Sequence, residues 1–142
     1  MVSMVHIRSH VPAITISDSR FIASDKYRSW IMKYSAEYGV PLDIAIRLAY
    51  EESHWNETAM GRNRNRTYDN GLYQLNSRYH RIELPEANIR DGLAKLGLMI
   101  KKAPTMRLAV VYYNAGPEYY EKHGYWPKSS LALADRVIKG GI

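Results

Sequence analysis

The 142-residue chain contains no cysteine, which excludes disulfide scaffolds, zinc sites built on thiolates and cysteine nucleophiles. It also lacks any apolar run near the roughly 18 residues that a membrane span requires. Phenylalanine is almost absent: one Phe stands against 12 Tyr and 3 Trp. A core built only for packing would use more Phe, so this bias predicts rings that face a packed interior on one side and water or a polar ligand on the other.

The N-terminus has no unbroken apolar segment of the kind that a secretory signal needs, because His6, Arg8, His10 and Pro12 interrupt it. We interpret residues 1–23 as an irregular arm. The remaining length is that of one ordinary domain, enough to bury a single core.

The charge balance is basic: 20 Lys and Arg against 14 Asp and Glu give a net charge of +6. Nucleic acid, an anionic envelope or membrane surface, and simple solubility are all compatible with this excess. The densest cluster is Arg62, Arg64 and Arg66. A nucleic-acid binder predicts a basic stripe with a recognised motif, and the sequence shows neither, so we expect no nucleic-acid partner.

Apolar residues recur at three- and four-residue spacing, which predicts one all-α domain over residues 24–142. Residues suited to helix ends interrupt this pattern: Ser24, Gly39, Pro41, Pro104, Thr105, Ser129 or Ser130, and Gly140 with Gly141. The polar segment 61–70 is predicted to be a loop.

Two adjacent glutamates receive different interpretations from their spacing. Glu52 follows Leu48 by four residues and therefore points towards the core. A carboxylate there is either a hydrogen-bonded helix-end group or an acid whose pKa is raised by apolar walls, as general acid catalysis requires. Glu51 follows Arg47 by four residues, which predicts a surface ion pair.

Three ordered motifs resemble those of the soluble lytic transglycosylase (SLT-type) family. They are residues 52–56 (Glu-Ser-His-Trp-Asn), 71–75 (Gly-Leu-Tyr-Gln-Leu) and 113–117 (Tyr-Asn-Ala-Gly-Pro). Residues 88–92 (Asn-Ile-Arg-Asp-Gly) look like the family's Asn-Ile-x-x-Gly helix start. The resemblance extends over about residues 34–120.

The resemblance implies a single goose-lysozyme-like helical domain with a glycan-binding groove. It implies cleavage of the β-1,4 bond between N-acetylmuramic acid and N-acetylglucosamine without water, leaving a 1,6-anhydro ring. The match assigns the catalytic acid to Glu52, a helper role to Ser53, substrate hydrogen bonding to Gln74, and the wall near the acid to Tyr113 and Asn114. No cofactor and no metal are expected.

Tyr73 stands where the family often has Met, and its ring either stacks on substrate in the cleft or packs internally. Asp69 is interpreted as a cap of a short helix, and His54 as a solvent-exposed turn residue. The expected partner is the peptidoglycan glycan strand, bound by a monomer in the cell envelope or periplasm, or in a phage-associated role.

The sequence is also compatible with two other functions. A lysozyme-type muramidase would use water, and it would need a second carboxylate such as Glu83. A catalytically silent peptidoglycan-binding protein is the other alternative, although the joint presence of the three motifs disfavours it.

Overall fold

The computed structural model describes residues 23–80 and 84–139. Within these residues the chain forms six helices and a sheet of three short strands. The helices are α1 (Asp25–Tyr38), α2 (Leu42–Ser53), α3 (Pro85–Lys102), α4 (Met106–Ala115), α5 (Tyr119–His123) and α6 (Lys128–Lys139), and the strands are β1 (Met60–Arg62), β2 (Tyr68–Asn70) and β3 (Leu75–Asn76). The mostly helical class is confirmed. The predicted arm lies outside the described residues, except for Ala23.

Several predicted helix ends are confirmed by their capping bonds. The Ser24 hydroxyl accepts a hydrogen bond from the Tyr27 N–H at 3.3 Å, and the Thr105 hydroxyl accepts one from the Leu108 N–H at 3.1 Å. Gly39 ends α1 in the left-handed conformation, with φ of 70°. Each cap satisfies backbone groups that a helix end leaves without an intrahelical partner.

The predicted start of the last helix is wrong. α6 begins at Lys128, directly after Pro127, so neither Ser129 nor Ser130 caps it. Ser130 lies instead on the buried side of the first turn, where its hydroxyl donates to the Asn114 side-chain oxygen at 2.6 Å. The predicted C-terminal glycine stop lies outside the described residues.

The segment predicted to be a loop forms a hairpin. β2 pairs antiparallel with both β1 and β3, and Asp69 lies opposite Gly61 on one side and Asn76 on the other. The turn of the hairpin is closed by the Asn63 N–H donating to the Thr67 carbonyl at 2.9 Å. Strands of two or three residues are too short to show an alternating apolar pattern, which explains why the sequence does not reveal them.

α3 is the central helix and packs against α1 and α4, while α6 packs against α4 and α2. The shared core contains buried aliphatic side chains from all of these helices. Burial of such side chains is the main favourable contribution to folding. None of the described helices is long and apolar enough to cross a membrane.

The predicted ion pair between Arg47 and Glu51 is wrong. Arg47 faces the core, where its guanidinium pairs with Asp43 at 3.3 Å and donates to the Val137 carbonyl at 3.4 Å. Glu51 accepts a 2.7 Å hydrogen bond from the Arg136 Nε of α6 instead. The i,i+4 rule identifies neighbours on a helix, but tertiary packing decides which neighbour a long side chain meets.

Candidate active site

Charged and aromatic side chains from four elements meet at the end of α2. Glu52 comes from α2, Asp69 from β2, Lys95 from α3 and Tyr113 from α4. Glu52 experiences the charges of Asp69 and Lys95, and Tyr113 in turn experiences those of Glu52 and Asp69. A small sheet and a helical core therefore contribute jointly to one site.

Two consecutive residues with positive φ follow Ser53, the last residue of α2. His54 has φ of 52° and Trp55 has φ of 64°. This left-handed conformation costs free energy for residues other than glycine. Trp55 packs against the hydrophobic core, and its ring centroid lies 6.5 Å from that of Tyr50. The His54 side chain is exposed, as predicted. This sharp reversal leaves Glu52 in the last turn of the helix, where it keeps partial access to solvent.

The environment of Glu52 favours the protonated acid. Burial is the largest influence and, together with the negative charge of Asp69, raises the pKa of Glu52 to about 7 from an ordinary value of 4.5. Lys95 and Arg136 oppose this shift. A carboxyl group with this pKa can donate a proton near neutral pH and take one back.

Ser53 is buried, and its hydroxyl donates to the Ala49 carbonyl at 2.9 Å. That bond lies within α2 and uses the hydroxyl proton to stabilise the last turn. The predicted helper role of Ser53 beside the acid stays a prediction.

Asp69 is not the helix cap that the sequence predicts, because it lies within β2. Its Oδ1 accepts hydrogen bonds from the side-chain amides of Asn63 at 3.1 Å and Asn76 at 3.3 Å. The two amides come from the hairpin turn and from β3. They hold the carboxylate of Asp69, the partly buried middle residue of β2, in one orientation.

A tight turn connects β2 to β3 and depends on an asparagine from α3. The Asn88 side chain accepts from the Tyr73 N–H at 2.8 Å and donates to the Asn70 carbonyl at 2.9 Å. Gly71 has φ of 81°, and a Cβ there would lie only 2.5 Å from Asn88 Nδ2. The glycine of the Gly-Leu-Tyr-Gln motif is therefore required by both conformation and space.

Gln74 ends this turn with φ of 50°. Its Nε2 donates to the carbonyls of Ala59 at 3.1 Å and Gly71 at 2.9 Å. The first bond joins the turn to the residue before β1, and the second lies within the turn itself. Substrate binding by Gln74 stays a prediction, and it would use the side-chain oxygen.

The assignment of Tyr73 to substrate binding is corrected. Its side chain is 0% exposed, and its hydroxyl donates to the Ala45 carbonyl at 2.7 Å. A Cβ on Gly92 would lie 2.5 Å from Tyr73 Cβ, so the residue packs directly on the α3 backbone. The internal packing alternative holds because the turn directs this side chain into the core.

Tyr113 is buried at the site, where its hydroxyl donates to the Tyr73 carbonyl at 2.6 Å. Burial and the neighbouring carboxylates raise its pKa well above 10, so the hydroxyl keeps its proton. Asn114, the next residue, is exposed, and its Oδ1 accepts the bond from Ser130. The roles of both residues as a wall for substrate stay predictions.

Lys95 is the site residue that the sequence interpretation missed. Its Nζ lies 4.3 Å from the centroid of the Tyr113 ring, and burial lowers its pKa while Glu52 and Asp69 oppose that shift. A signal was present, because Lys95 shares a helical stripe with Asn88, Gly92 and Met99, which are all buried. The spacing rule that singled out Glu52 would have found this lysine.

Three other candidate features are a second carboxylate, a metal site and a cavity. Glu83 lies outside the described residues. No group of three or more His, Cys, Asp and Glu side chains suited to a metal ion occurs in the described part of the chain. An open cavity of about 540 Å³ lies between α1 and α3, but its lining does not include Glu52, Asp69, Lys95 or Tyr113.

The mostly helical domain with its small three-stranded sheet is of the lysozyme-like class. The family model described as the transglycosylase SLT domain matches residues 29–130, which is well over half of the chain, and the protein belongs to this family. The family acts on peptidoglycan. No curated protein matches the chain.

Proposed function

We propose that this protein is a lytic transglycosylase that cleaves the β-1,4 bond between N-acetylmuramic acid and N-acetylglucosamine, with Glu52 as acid and then base. The observation that carries the proposal is the half-buried Glu52 with a pKa raised to about 7. Membership of the SLT family supports the substrate class.

In the first step the Glu52 carboxyl donates its proton to the glycosidic oxygen as the bond from that oxygen to the muramic acid C1 breaks. The N-acetylglucosamine side leaves as an alcohol, and positive charge develops at C1 and the ring oxygen. Glu52 is now a carboxylate. It accepts the proton of the sugar's own C6 hydroxyl, whose oxygen bonds to C1 and closes the 1,6-anhydro ring. The acid is regenerated and no water is consumed.

This reaction needs only one carboxyl group, because the nucleophile belongs to the substrate. It needs an acid whose pKa is close to the working pH, so that one group performs both proton transfers. We assign Tyr113 to holding the turn before β3 near Glu52, and the polar atoms left on Gln74 and Asn114 to substrate hydrogen bonding.

The test is digestion of purified peptidoglycan by the wild type and by Glu52→Gln, which keeps the shape and removes the proton. We expect the variant to lose at least ~100-fold in rate, the usual contribution of general acid catalysis. Wild-type products should carry anhydro ends, lower in mass by one water than hydrolytic products. Glu37→Gln, an exposed change on α1, is the matched control and should cleave at the wild-type rate. Equal rates for Glu52→Gln and the control would refute the assignment.

A second candidate function is a muramidase that uses water. The observation that favours it is the closeness of Asp69, whose charge acts on Glu52. Two carboxyl groups are the usual requirement for hydrolysis with retention or inversion. Digestion in isotope-labelled water separates the two functions, since only hydrolysis places the label in the new reducing end. Labelled ends that disappear in Asp69→Asn would establish hydrolysis.

We infer that the protein acts as a monomer on glycan strands in the cell envelope, or in a phage-associated role. SLT family members act on a polymer that lies outside the cytoplasm. A protein that only binds peptidoglycan would retain sacculi without releasing fragments, so the same digestion also tests that alternative.

A further inference from the structure

Lys95 is a cation on the buried side of α3, where it interacts with an aromatic ring and with two carboxyl groups. Its ammonium lies over the Tyr113 ring, with Nζ 4.3 Å from the centroid. Such a cation–π contact holds the ammonium in place and partly compensates for lost hydration. The same ammonium experiences the charges of both Glu52 and Asp69.

We propose that Lys95 is a positioning residue that stabilises the carboxylate form of Glu52 between its two proton transfers. The proposal rests on the proposed function for its catalytic consequence. The effect of Lys95 on the ionisation of Glu52 is a property of the protein alone, so it can be measured without substrate.

Several groups face Glu52, and their effects differ in sign. Asp69 from β2 and Glu51 beside it favour the neutral acid, while Lys95 from α3 and Arg136 from α6 favour the carboxylate. Tyr113 from α4 stays neutral. The Arg136 side chain is 55% exposed and binds Glu51 at 2.7 Å. Its influence on Glu52 is therefore weakened by solvent and by its own partner.

Lys95 is the shielded cation of the two, so its field acts through a less polar medium. Without it, burial and Asp69 would hold the proton on Glu52 more tightly. The first proton transfer would then become less favourable, because the carboxylate that it produces would be less stable. A cation at this position lets one residue serve as an acid and then as a base.

The test compares Lys95→Met, which keeps the length and removes the charge, with Lys95→Arg, which keeps the charge. Lys101→Met is the matched control, since Lys101 is exposed on the same helix. The Glu52 carboxyl is titrated by NMR in each protein, with Glu52→Gln to assign its signal. We expect the Glu52 pKa to rise by about one unit in Lys95→Met and to stay near the wild-type value in Lys95→Arg and Lys101→Met.

The pH profile of cleavage provides the catalytic readout. In Lys95→Met the alkaline limb should move upward by about one pH unit and kcat should fall about tenfold, with KM little changed. Lys95→Arg should recover most of kcat. A residue that only supports the fold would lower the amount of active enzyme and leave the profile in place. Lys95→Gln serves as a second neutral variant if Lys95→Met does not fold.

An unchanged Glu52 titration in a folded neutral variant would overturn the proposal. Failure of the proposed function looks different. In that case the wild type would release no fragments, while the NMR titration would still show whether Lys95 controls the charge of Glu52.

Discussion

Glu51 and Glu52 are adjacent in the sequence, yet their side chains lie in different environments. One faces Arg136 at the surface of α2, and the other lies among shielding side chains at the helix end. Successive residues of a helix differ by about 100° in direction. That rotation separates a solvated ion pair from a group that holds its proton near neutral pH.

The raised pKa of Glu52 predicts a cost in stability. Its pKa is about 7 in the folded protein and has an ordinary value of 4.5, so its contribution is fully present below about pH 4.5 and is lost as the pH rises through 7. The difference corresponds to about 3 kcal/mol. Glu52→Gln has no charge to bury. We therefore expect it to exceed the wild type in free energy of unfolding by up to about 3 kcal/mol near pH 8 and by much less near pH 4.

Urea unfolding of both proteins at the two pH values measures this difference. Glu37→Gln, an exposed change on α1, should show no comparable dependence on pH. A gain of Glu52→Gln over the wild type that is the same at both pH values would contradict the prediction, because it would not come from the titration of this carboxyl.

At the scale of secondary-structure elements, α3 supports the site by contacting the turn between β2 and β3. Asn88 and Gly92 lie one turn apart on its buried side, and both meet the turn between β2 and β3. Asn88 satisfies one N–H and one carbonyl of that turn, while Gly92 leaves room for Tyr73. The Asn-Ile-x-x-Gly pattern is thus the helix side of a single contact, and Gly-Leu-Tyr-Gln is its turn side.

Asn88→Ala tests this contact. The change removes two hydrogen bonds and leaves the Tyr73 N–H and the Asn70 carbonyl without this partner. We expect a loss of about 2–4 kcal/mol in the free energy of unfolding. Cleavage should fall as well, because the turn positions the chain that follows Asp69.

Chemical denaturation of Asn88→Ala and of Lys101→Ala, an exposed position on the same helix, measures the effect against a control. Stability equal to that of the control would mean that the turn does not depend on Asn88.

At the scale of the whole molecule, we propose that the net charge of +6 attracts the protein to an anionic cell-wall polymer. Arg62, Arg64 and Arg66 are all exposed, on the hairpin that also carries Asp69. The Arg62 guanidinium lies 5.9 Å from the centroid of the Tyr68 ring. This placement puts a basic surface on the same hairpin as one of the site carboxylates.

Replacing these three arginines by Gln should weaken binding to sacculi at low ionic strength by about tenfold and reduce its dependence on salt. Sedimentation of sacculi over a range of salt concentrations provides the measurement. The control replaces three exposed lysines elsewhere by Gln, with the same change in net charge: Lys101, Lys102 and Lys139. Equal losses in both triple variants would show that only total charge matters.

Local sequence signals predicted much of the helical framework. Ser24, Thr105 and Gly39 act within one turn of their own helices, so their roles could be inferred without tertiary structure. The hairpin could not be predicted, because its strands are shorter than any periodic pattern. Ser130 resembled a cap by residue type, yet the conformation after Pro127 starts α6 earlier.

Patterns along the chain predicted the helical class of fold and the direction of Glu52 towards the core, because helical periodicity relates residues only a few positions apart. The three ordered motifs predicted the family. The side chains that meet at the site depend on tertiary packing. It brought Asp69 and Lys95 to Glu52, took Arg47 away from Glu51, and buried the Tyr73 ring. These outcomes depend on contacts between residues distant in sequence. Burial and electrostatic fields act through space. The raised pKa that makes Glu52 a candidate acid results from both.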